Sequence, residues 1–477
     1  MNINYTKNGL GILTVLFALS IFASRACGQL TQTERYEIDI THIGGNYQVV
    51  TCDEGVLIWS LWNIKNSLDT LALKVHFLDT NLTEKWSENF AWNRHIKLID
   101  QQSYGAKVYI LFKNYNADSN DFELLETDVV SGNILVRTIN NELPFTYLDM
   151  RVTDKAVLIG GYTELSPIVI YKNFSEPSAK ILPGIYGHKI EMNQLNLNPD
   201  ATVEVLTAGK GKMGNRGLYL NNYNKDAQLI STAKIKPPDY RHILTSGIKT
   251  EINTSSSLVA GTFSKQNLNY PQGIYIAKLN QQSQETIKLY DYTDLDNFFN
   301  YLPEKKEQSL RRRAKHKEMQ EKSLKHVYNL DIHRFFNYKD VFILYGSVST
   351  TRKRSFTHNI LLAFDEDGNL LWDKRFEAQP TSLHTSLKEE RLNLLYTFED
   401  KIYTIPISDD GKPDLNESIE SMKLHYGDKL RSNEIKGIGR LNNDTYIVCG
   451  IQSLKNKEKK GADRNRTVLF INKLVLE

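Results

Sequence analysis

Three observations predict that this 477-residue chain is all-β and built from repeated sheets. Short runs rich in Val, Ile, Tyr and Leu recur between clusters of Asn, Asp, Gly and Ser from residue 35 to the end, while a helical apolar period is nearly absent. Eight pairs of such runs align with one another, each pair closing on a polar turn. The turns fall 44 to 63 residues apart except for one gap of 85, near the spacing of about 40–50 residues for a four-stranded blade. The expected fold is an all-β β-propeller of eight four-stranded blades, or seven if one alignment is false, with one helical insertion.

The first 28 residues carry Lys7, the apolar run Leu10–Ala23 and the small residues Ala26-Cys27-Gly28. This reads as a secretory signal peptide ending at Gly28, with the propeller domain over 29–477. The run has 14 residues, short of the roughly 20 that a spanning helix needs. A rival reading makes Cys27 the lipid-anchored N-terminus of a bacterial lipoprotein, with Ser24-Arg25 in place of the usual apolar and small residues. After cleavage Cys52 and Cys449 remain, either as two buried thiols or as a bridge that an oxidising compartment would permit. The strand Tyr36–Ile40 has no sheet of its own. It is expected to complete the last blade, whose edge Leu474–Glu477 would otherwise leave open.

Second strands are expected at Val56–Trp59, Val108–Leu111, Val157–Ile159, Val203–Leu206, Leu258–Ala260, Val341–Leu344, Leu392–Leu395 and Tyr446–Val448. Third strands follow at Leu73–Asp79, Phe122–Asp128, Ile168–Asn173, Gly217–Asn224, Gly273–Asn280, Ile360–Asp365, Ile402–Asp409 and Val468–Asn472. The long gap holds residues 294–326, a basic helical insertion between the fifth and sixth blades. Leu295–Leu302 is apolar enough to dock on the sheets, and residues 304–325 hold nine Lys/Arg and four Glu.

Three turns carry more than generic hairpin chemistry: Asp79–Trp86, Asp128–Leu135 and Asp365–Trp372. An Asp opens each turn, Gly132 and Gly368 supply residues that tolerate positive φ, and Trp86 and Trp372 follow. The pattern resembles the blade signature of quinoprotein-type (PQQ-like) propellers, covering about three of the eight units. That resemblance implies an exported binding or scaffold protein of the non-catalytic type, like the eight-bladed outer-membrane assembly lipoprotein. The units at Asn173, Asn224 and Asn280 lack both the Asp and the Trp, and the chain has no vicinal Cys-Cys pair. No cofactor is expected.

Other motifs carry little chemistry. Gly209-Lys-Gly211-Lys-Met-Gly214 matches a dinucleotide fingerprint in letters only, because a strand rather than a helix follows. Asp365-Glu-Asp367-Gly368-Asn369 offers oxygens to Ca²⁺, but position 374, where a calcium loop needs a bidentate Glu, is Lys. The eleven His are scattered, with no metal-ligand spacing and no nucleophile elbow. No catalytic residue and no metal site is assigned.

Charge is more informative. Residues 304–325, 352–354 and 455–466 net +5, +3 and +4, leaving about −11 on the rest of the exported chain. Alternating strand direction sends second-to-third-strand loops and blade-to-blade loops to the same end of the sheets, and all three segments belong to those classes, as does the Lys210/Lys212 loop. The expected anion-binding residues are Lys210, Lys212, Arg311, Arg312, Arg313, Arg352, Lys353, Arg354, Lys459 and Lys460. A concentrated positive face attracts anionic partners: an acidic glycan, a lipid head group or an acidic protein surface, with peripheral outer-membrane association. Nucleic acid is not expected, because the basic segment lacks interleaved aromatics and the protein is read as exported. The function read from the sequence is an exported, periplasmic, outer-membrane-associated or secreted cell-envelope binding or scaffold protein. The competing class is a propeller enzyme acting on glycans through carboxylates around a central channel. Sequons at Asn81 and Asn253 would carry glycans in a eukaryotic source.

Overall fold

A computed structural model describes residues 30–476 apart from 42–45, 64–69, 94, 116–119, 188, 211–215, 266–267, 269–270, 281–282, 320–327, 351–354, 377–382, 389–390, 399–400, 408–417, 421–427, 443 and 457–460. The signal segment and Cys27 lie outside the described residues. No helix among the described residues is long and apolar enough to cross a membrane.

The fold is an all-β propeller in which the described strands form seven four-stranded sheets and one five-stranded sheet, every pairing antiparallel. The first sheet comprises Asn46–Cys52, Gly55–Asn63, Thr70–Asp79 and Glu84–Asn93; the second Ile96–Tyr104, Lys107–Asn114, Phe122–Asp128 and Ile134–Ile139. The third holds Thr146–Val152, Ala156–Thr163, Ser166–Asn173 and Lys180–Ile181; the fourth Glu191–Leu197, Val203–Lys210, Arg216–Tyr223 and Leu229–Ile235. In the fifth, His242–Leu244 and Ile248–Glu251 share one edge, both pairing with Ser256–Lys265, followed by Pro271–Asn280 and Ser283–Asp291. The sixth is Tyr328–Tyr338, Val341–Thr350, Phe356–Phe364 and Leu370–Phe376; the seventh Leu383–Lys388, Arg391–Phe398, Lys401–Ile407 and Ser418–Glu420. In the eighth, Asp428–Arg440, Thr445–Asn456 and Asn465–Leu476 are completed by the N-terminal strand Leu30–Asp39, as the open edge required. The chain divides into two compact units, residues 1–51, 78–84 and 380–477 in one and 52–77 and 85–379 in the other. Sheets two to six lie in the second unit, seven and eight in the first.

All eight second and third strands fall where the apolar runs place them. Within each unit the cores form between neighbouring sheets. Tyr109, Leu111, Phe122 and Leu124 of the second sheet pack with Met150, Val157, Ile159 and Ile168 of the third, all buried. Buried residues of the seventh and eighth, Leu395, Ile402, Tyr446 and Phe470, form one cluster with Leu30 of the completing strand.

The first strands bend in a way the apolar pattern does not show. Register shifts mark them between Leu98 and Asp100, Tyr147 and Asp149, Met192 and Gln194, and Ile332 and Arg334, and twice in the eighth sheet. In the third, sixth and eighth sheets a second-strand glycine faces the bulge. A Cβ built on Gly161 would lie 2.3 Å from Thr146 O, on Gly346 3.0 Å from Asp331 O, and on Gly450 2.1 Å from Glu434 O. At these three positions the kinked strand brings its backbone so close that a Cβ would crowd it.

In the fifth sheet the same place is a complete break, which is why that sheet has five strands rather than the expected four. Thr245 donates through both N and Oγ1 to Thr262 O, at 2.9 and 2.8 Å, and Ser246 Oγ lies 2.8 Å from Thr262 Oγ1. A Cβ on Gly261 would stand 1.9 Å from Ser246 O. Gly261→Ala should therefore destabilise the chain by about 2–3 kcal/mol through forced backbone displacement. A thermal midpoint equal to wild type would refute this packing.

The turn signatures hold in detail. Asp365 Oδ1 accepts from Asp367 N and Asn369 N at 3.0 and 2.7 Å, and Gly368 takes φ 74°. Asp128 accepts from Val130 N and Ser131 N, with Gly132 at φ 73°. The Asp79 turn differs, because Leu82 rather than a glycine occupies the left-handed position at φ 55°. Trp86 Nε1 donates to Val129 O at 2.9 Å and its ring lies against Gly132, tying the first sheet's last strand to the second sheet.

Candidate functional site

The insertion begins as an apolar strap and becomes a charged helix. Leu295, Phe298 and Phe299 are fully buried against sheets five and six, and the helix Glu304–Met319 follows Pro303. Glu304 and Glu307 sit in its first turn and His316 and Lys317 in its last, as the helix dipole favours. Arg311 fastens it: Nη1 donates to Thr293 O at 2.6 Å, Nη2 to Leu295 O and Asp296 O at 2.9 Å each, and Nε to Glu307 Oε1 at 2.9 Å. Of the three consecutive arginines, Arg311 is thus a strut, while Arg312 and Arg313 are exposed.

Lys210 ends the second strand of the fourth sheet, its backbone paired with Arg216. Gly209 pairs with Gly217 in the same hairpin, so the GxGxxG letters open no helix. Lys212, Arg352, Lys353, Arg354, Lys459 and Lys460 lie outside the described residues.

The described ends of the 455–466 segment reveal a site that single-chain charge counting only half finds. Lys455 closes the second strand of the eighth sheet and pairs directly with Lys429 on the first. Arg431 sits at the bulge between Leu430 and Ser432, and Arg464 follows in a short 3₁₀ turn. Lys429, Arg431 and Arg464 are exposed and Lys455 is partly so. Like charges directly across two strands repel. Arg464 foremost, then Arg431 and, more weakly, Lys429 push the Lys455 ammonium below its ordinary value.

Two described acids nearby, Asp428 and Glu37, are already engaged elsewhere. Asp428, its side chain fully buried, holds Arg466 at 2.5 Å and accepts from Asn456 Nδ2 at 3.0 Å. Glu37 takes Arg466 at 2.8 Å and Arg35 at 2.6 Å. Among the described residues, none of the four cations lies within salt-bridge distance of a carboxylate. Sequence reasoning found Lys455 and Arg464 as part of a basic segment. It missed Lys429 and Arg431, about 25 residues earlier, because only strand register brings them alongside.

Among the described residues Cys52 and Cys449 are free thiols. Burial pushes each up to about 11, Cys52 against Gly55 O at 3.5 Å and Cys449 against Gly437 O at 3.8 Å.

No protein-family model and no curated protein sequence matches this chain. Solved structures match its fold. The propeller domain of the trilobed protease from Pyrococcus furiosus is 12% identical, covering 79% of this chain and 95% of that one at a TM-score of 0.39. The Dos1 propeller is 8% identical over 94% of this chain and 95% of that one at 0.42. A polysaccharide lyase is 8% identical over 79% of this chain and 89% of that one at 0.41. At such identities the likeness is one of fold alone.

Proposed function

We propose that this protein is an exported binding or scaffold protein of a bacterial cell envelope, and that it takes an anionic glycan, lipid head group or acidic protein surface on the cationic end of its eighth sheet. The observation that carries this reading is the cluster of Lys429, Arg431, Lys455 and Arg464. Four cations are held together with no described carboxylate within salt-bridge distance, while Asp428 and Glu37 are turned inward to Arg466 and Arg35. Crowding like charges costs stability unless an external anion relieves it, and an exposed patch of one sign also steers an oppositely charged partner. The Asp-opened turns at Asp79, Asp128 and Asp365 support reading the blades as quinoprotein-type units used as a scaffold. The apolar run Leu10–Ala23 supports export.

Retention on a polyanion column tests the site. Wild-type protein should be retained at roughly physiological ionic strength, about 0.15 M, where surface charges are still felt over about 8 Å. A variant with Lys429→Ser, Arg431→Ser, Lys455→Ser and Arg464→Ser should elute early. A second variant, Arg312→Ser with Arg313→Ser, reports whether the helix contributes. If the four-residue variant and wild type elute together, the eighth-sheet site is wrong.

A further inference from the structure

The insertion is fastened largely to itself. Arg311 of the helix holds Glu307 and the carbonyls of Thr293, Leu295 and Asp296, and its guanidinium lies 5.8 Å from the centre of the Phe299 ring. Strap and helix therefore form one body. Asp373, on the fourth strand of the sixth sheet, anchors that body by accepting from Asp296 N at 3.0 Å and Asn297 N at 2.6 Å, while Asn297 Nδ2 donates to Asp373 O at 2.8 Å. The Tyr301 hydroxyl donates to that of Tyr328 on the first strand. The remaining hold is apolar: Leu295, Phe298 and Phe299 are fully buried, with the Phe298 ring stacked on Tyr292 at 4.3 Å.

Under this body lies His358, fully buried, with no hydrogen-bond partner on either ring nitrogen. Its cover is the strap itself, through the Phe298 ring at 5.4 Å and the Tyr301 ring at 5.1 Å. The second strand presents Val348 opposite it. Among the described residues, the titratable and charged groups around it are Tyr301 from the strap, Tyr328 from the first strand, and Arg375 and Asp373 from the fourth. Arg311 of the helix reaches the strap carbonyls rather than the ring. A proton taken up by the covered ring would therefore meet a like charge on Arg375, while both Asp373 oxygens are turned to strap amides. Lifting the strap returns both nitrogens to water, where the proton is held at its ordinary strength.

Burial first and Arg375 second drive the covered imidazole down to about 3. The covered ring thus stays neutral through pH 5, while the released one titrates near 6.5. Closure is fully supported above that value and weakens as pH falls toward 3; between pH 7.5 and 5 the released state gains about thirtyfold on the closed one.

We propose that residues 295–319 form an acid-released flap: proton uptake by His358 lifts the strap, carries the helix with it and uncovers the aromatic surface around Tyr328, while the sheets stay folded. Such local opening is a device of the fold itself and stands if the anion-binding reading fails.

Hydrogen exchange of the intact protein at pH 7.5 and 5, expressed as protection factors so that the intrinsic pH dependence cancels, reads the opening. The peptide 295–302 should lose about thirtyfold in protection at pH 5. At both pH values it should stay less protected than the second strand around Ile343–Tyr345, because the flap opens without global unfolding. His358→Leu should nearly erase the pH effect. Asp373→Asn keeps the histidine and weakens the anchor, so protection should drop at both pH values with the roughly thirtyfold ratio retained. This second variant decides the matter even where the first does not fold. Protection of the strap that is independent of pH, equal to that of Ile343–Tyr345, or equally pH-dependent in His358→Leu overturns the proposal. Loss of the ratio in Asp373→Asn does so too, by assigning it to the carboxylate.

Discussion

Glu37→Leu should lower stability by about 3–5 kcal/mol, the cost of leaving a buried guanidinium without its carboxylate. Arg35 and Glu37 lie on the completing strand Leu30–Asp39 with side chains only 5% and 6% exposed. Arg35 also donates to Asn472 Oδ1 at 3.0 Å and Gln452 Oε1 at 2.7 Å and stacks 5.2 Å over the Phe470 ring, so one residue ties the N-terminal strand to its neighbour Asn465–Leu476 and to Thr445–Asn456 beyond it. Replacing both ions by apolar groups is a different experiment, because the buried pair carries a desolvation penalty that nearly cancels its attraction. The double variant Arg35→Met with Glu37→Leu should therefore recover part of the loss. Urea midpoints of the two singles and the double measure this. If the double is as unstable as the two losses added, the pair is not coupled and the clasp is misread.

The second large effect concerns pH. His358, on the third strand of the sixth sheet, is fully buried, and neither ring nitrogen has a hydrogen-bond partner. The strap covers it: the Phe298 ring stands edge-on at 5.4 Å and the Tyr301 ring lies at 5.1 Å. Burial first, and the nearby Arg375 guanidinium second, drive the imidazole down to about 3. An unfolded histidine binds its proton near 6.5. The depressed value means that its contribution is complete above 6.5 and is lost as pH falls toward 3, by up to about 1.4 kcal/mol per pH unit. Asp373, which anchors the strap by accepting from Asp296 N and Asn297 N at 3.0 and 2.6 Å, is raised by its burial and acts in the opposite sense, but only as pH approaches the carboxylate range. The slope between about pH 6.5 and 5 thus comes chiefly from His358, with His333, also lowered by its burial, adding in the same sense. Melting temperatures from pH 7.5 to 5 should fall in wild type and fall clearly less in His358→Leu, which should also be the more stable protein at pH 5. Parallel curves would rule this out.

Much of the architecture was legible in the sequence because sheets write themselves locally. Val56–Trp59, Leu258–Ala260 and Tyr446–Val448 are short apolar runs bounded by turn residues, and those are enough to place second strands. Asp128 and Gly132, or Asp365 and Gly368, specify tight turns within a few residues. The insertion betrays itself by composition, its strap by aromatic residues and its helix by alternating Lys, Arg and Glu. Even the completing strand follows locally, from an unclaimed run at Tyr36–Ile40 and an edge that must be covered.

Tertiary structure decided everything that depends on register or on which partner a charge meets. Arg311, Arg312 and Arg313 are equivalent in sequence, yet one is a strut between the helix and three carbonyls while the other two face solvent. Lys429 and Arg431 join Lys455 and Arg464 only because two antiparallel strands are in one particular alignment. Asp428 and Glu37 fail to neutralise that cluster only because Arg466 and Arg35 lie beneath them. The bulges opposite Gly161, Gly346 and Gly450 likewise join residues from separate strands. The physical reason is one of range. Strand and turn preferences act over a few neighbouring residues and are set by side-chain type, whereas a charge's effect depends on which groups folding brings within a few ångströms and on how much water remains between them.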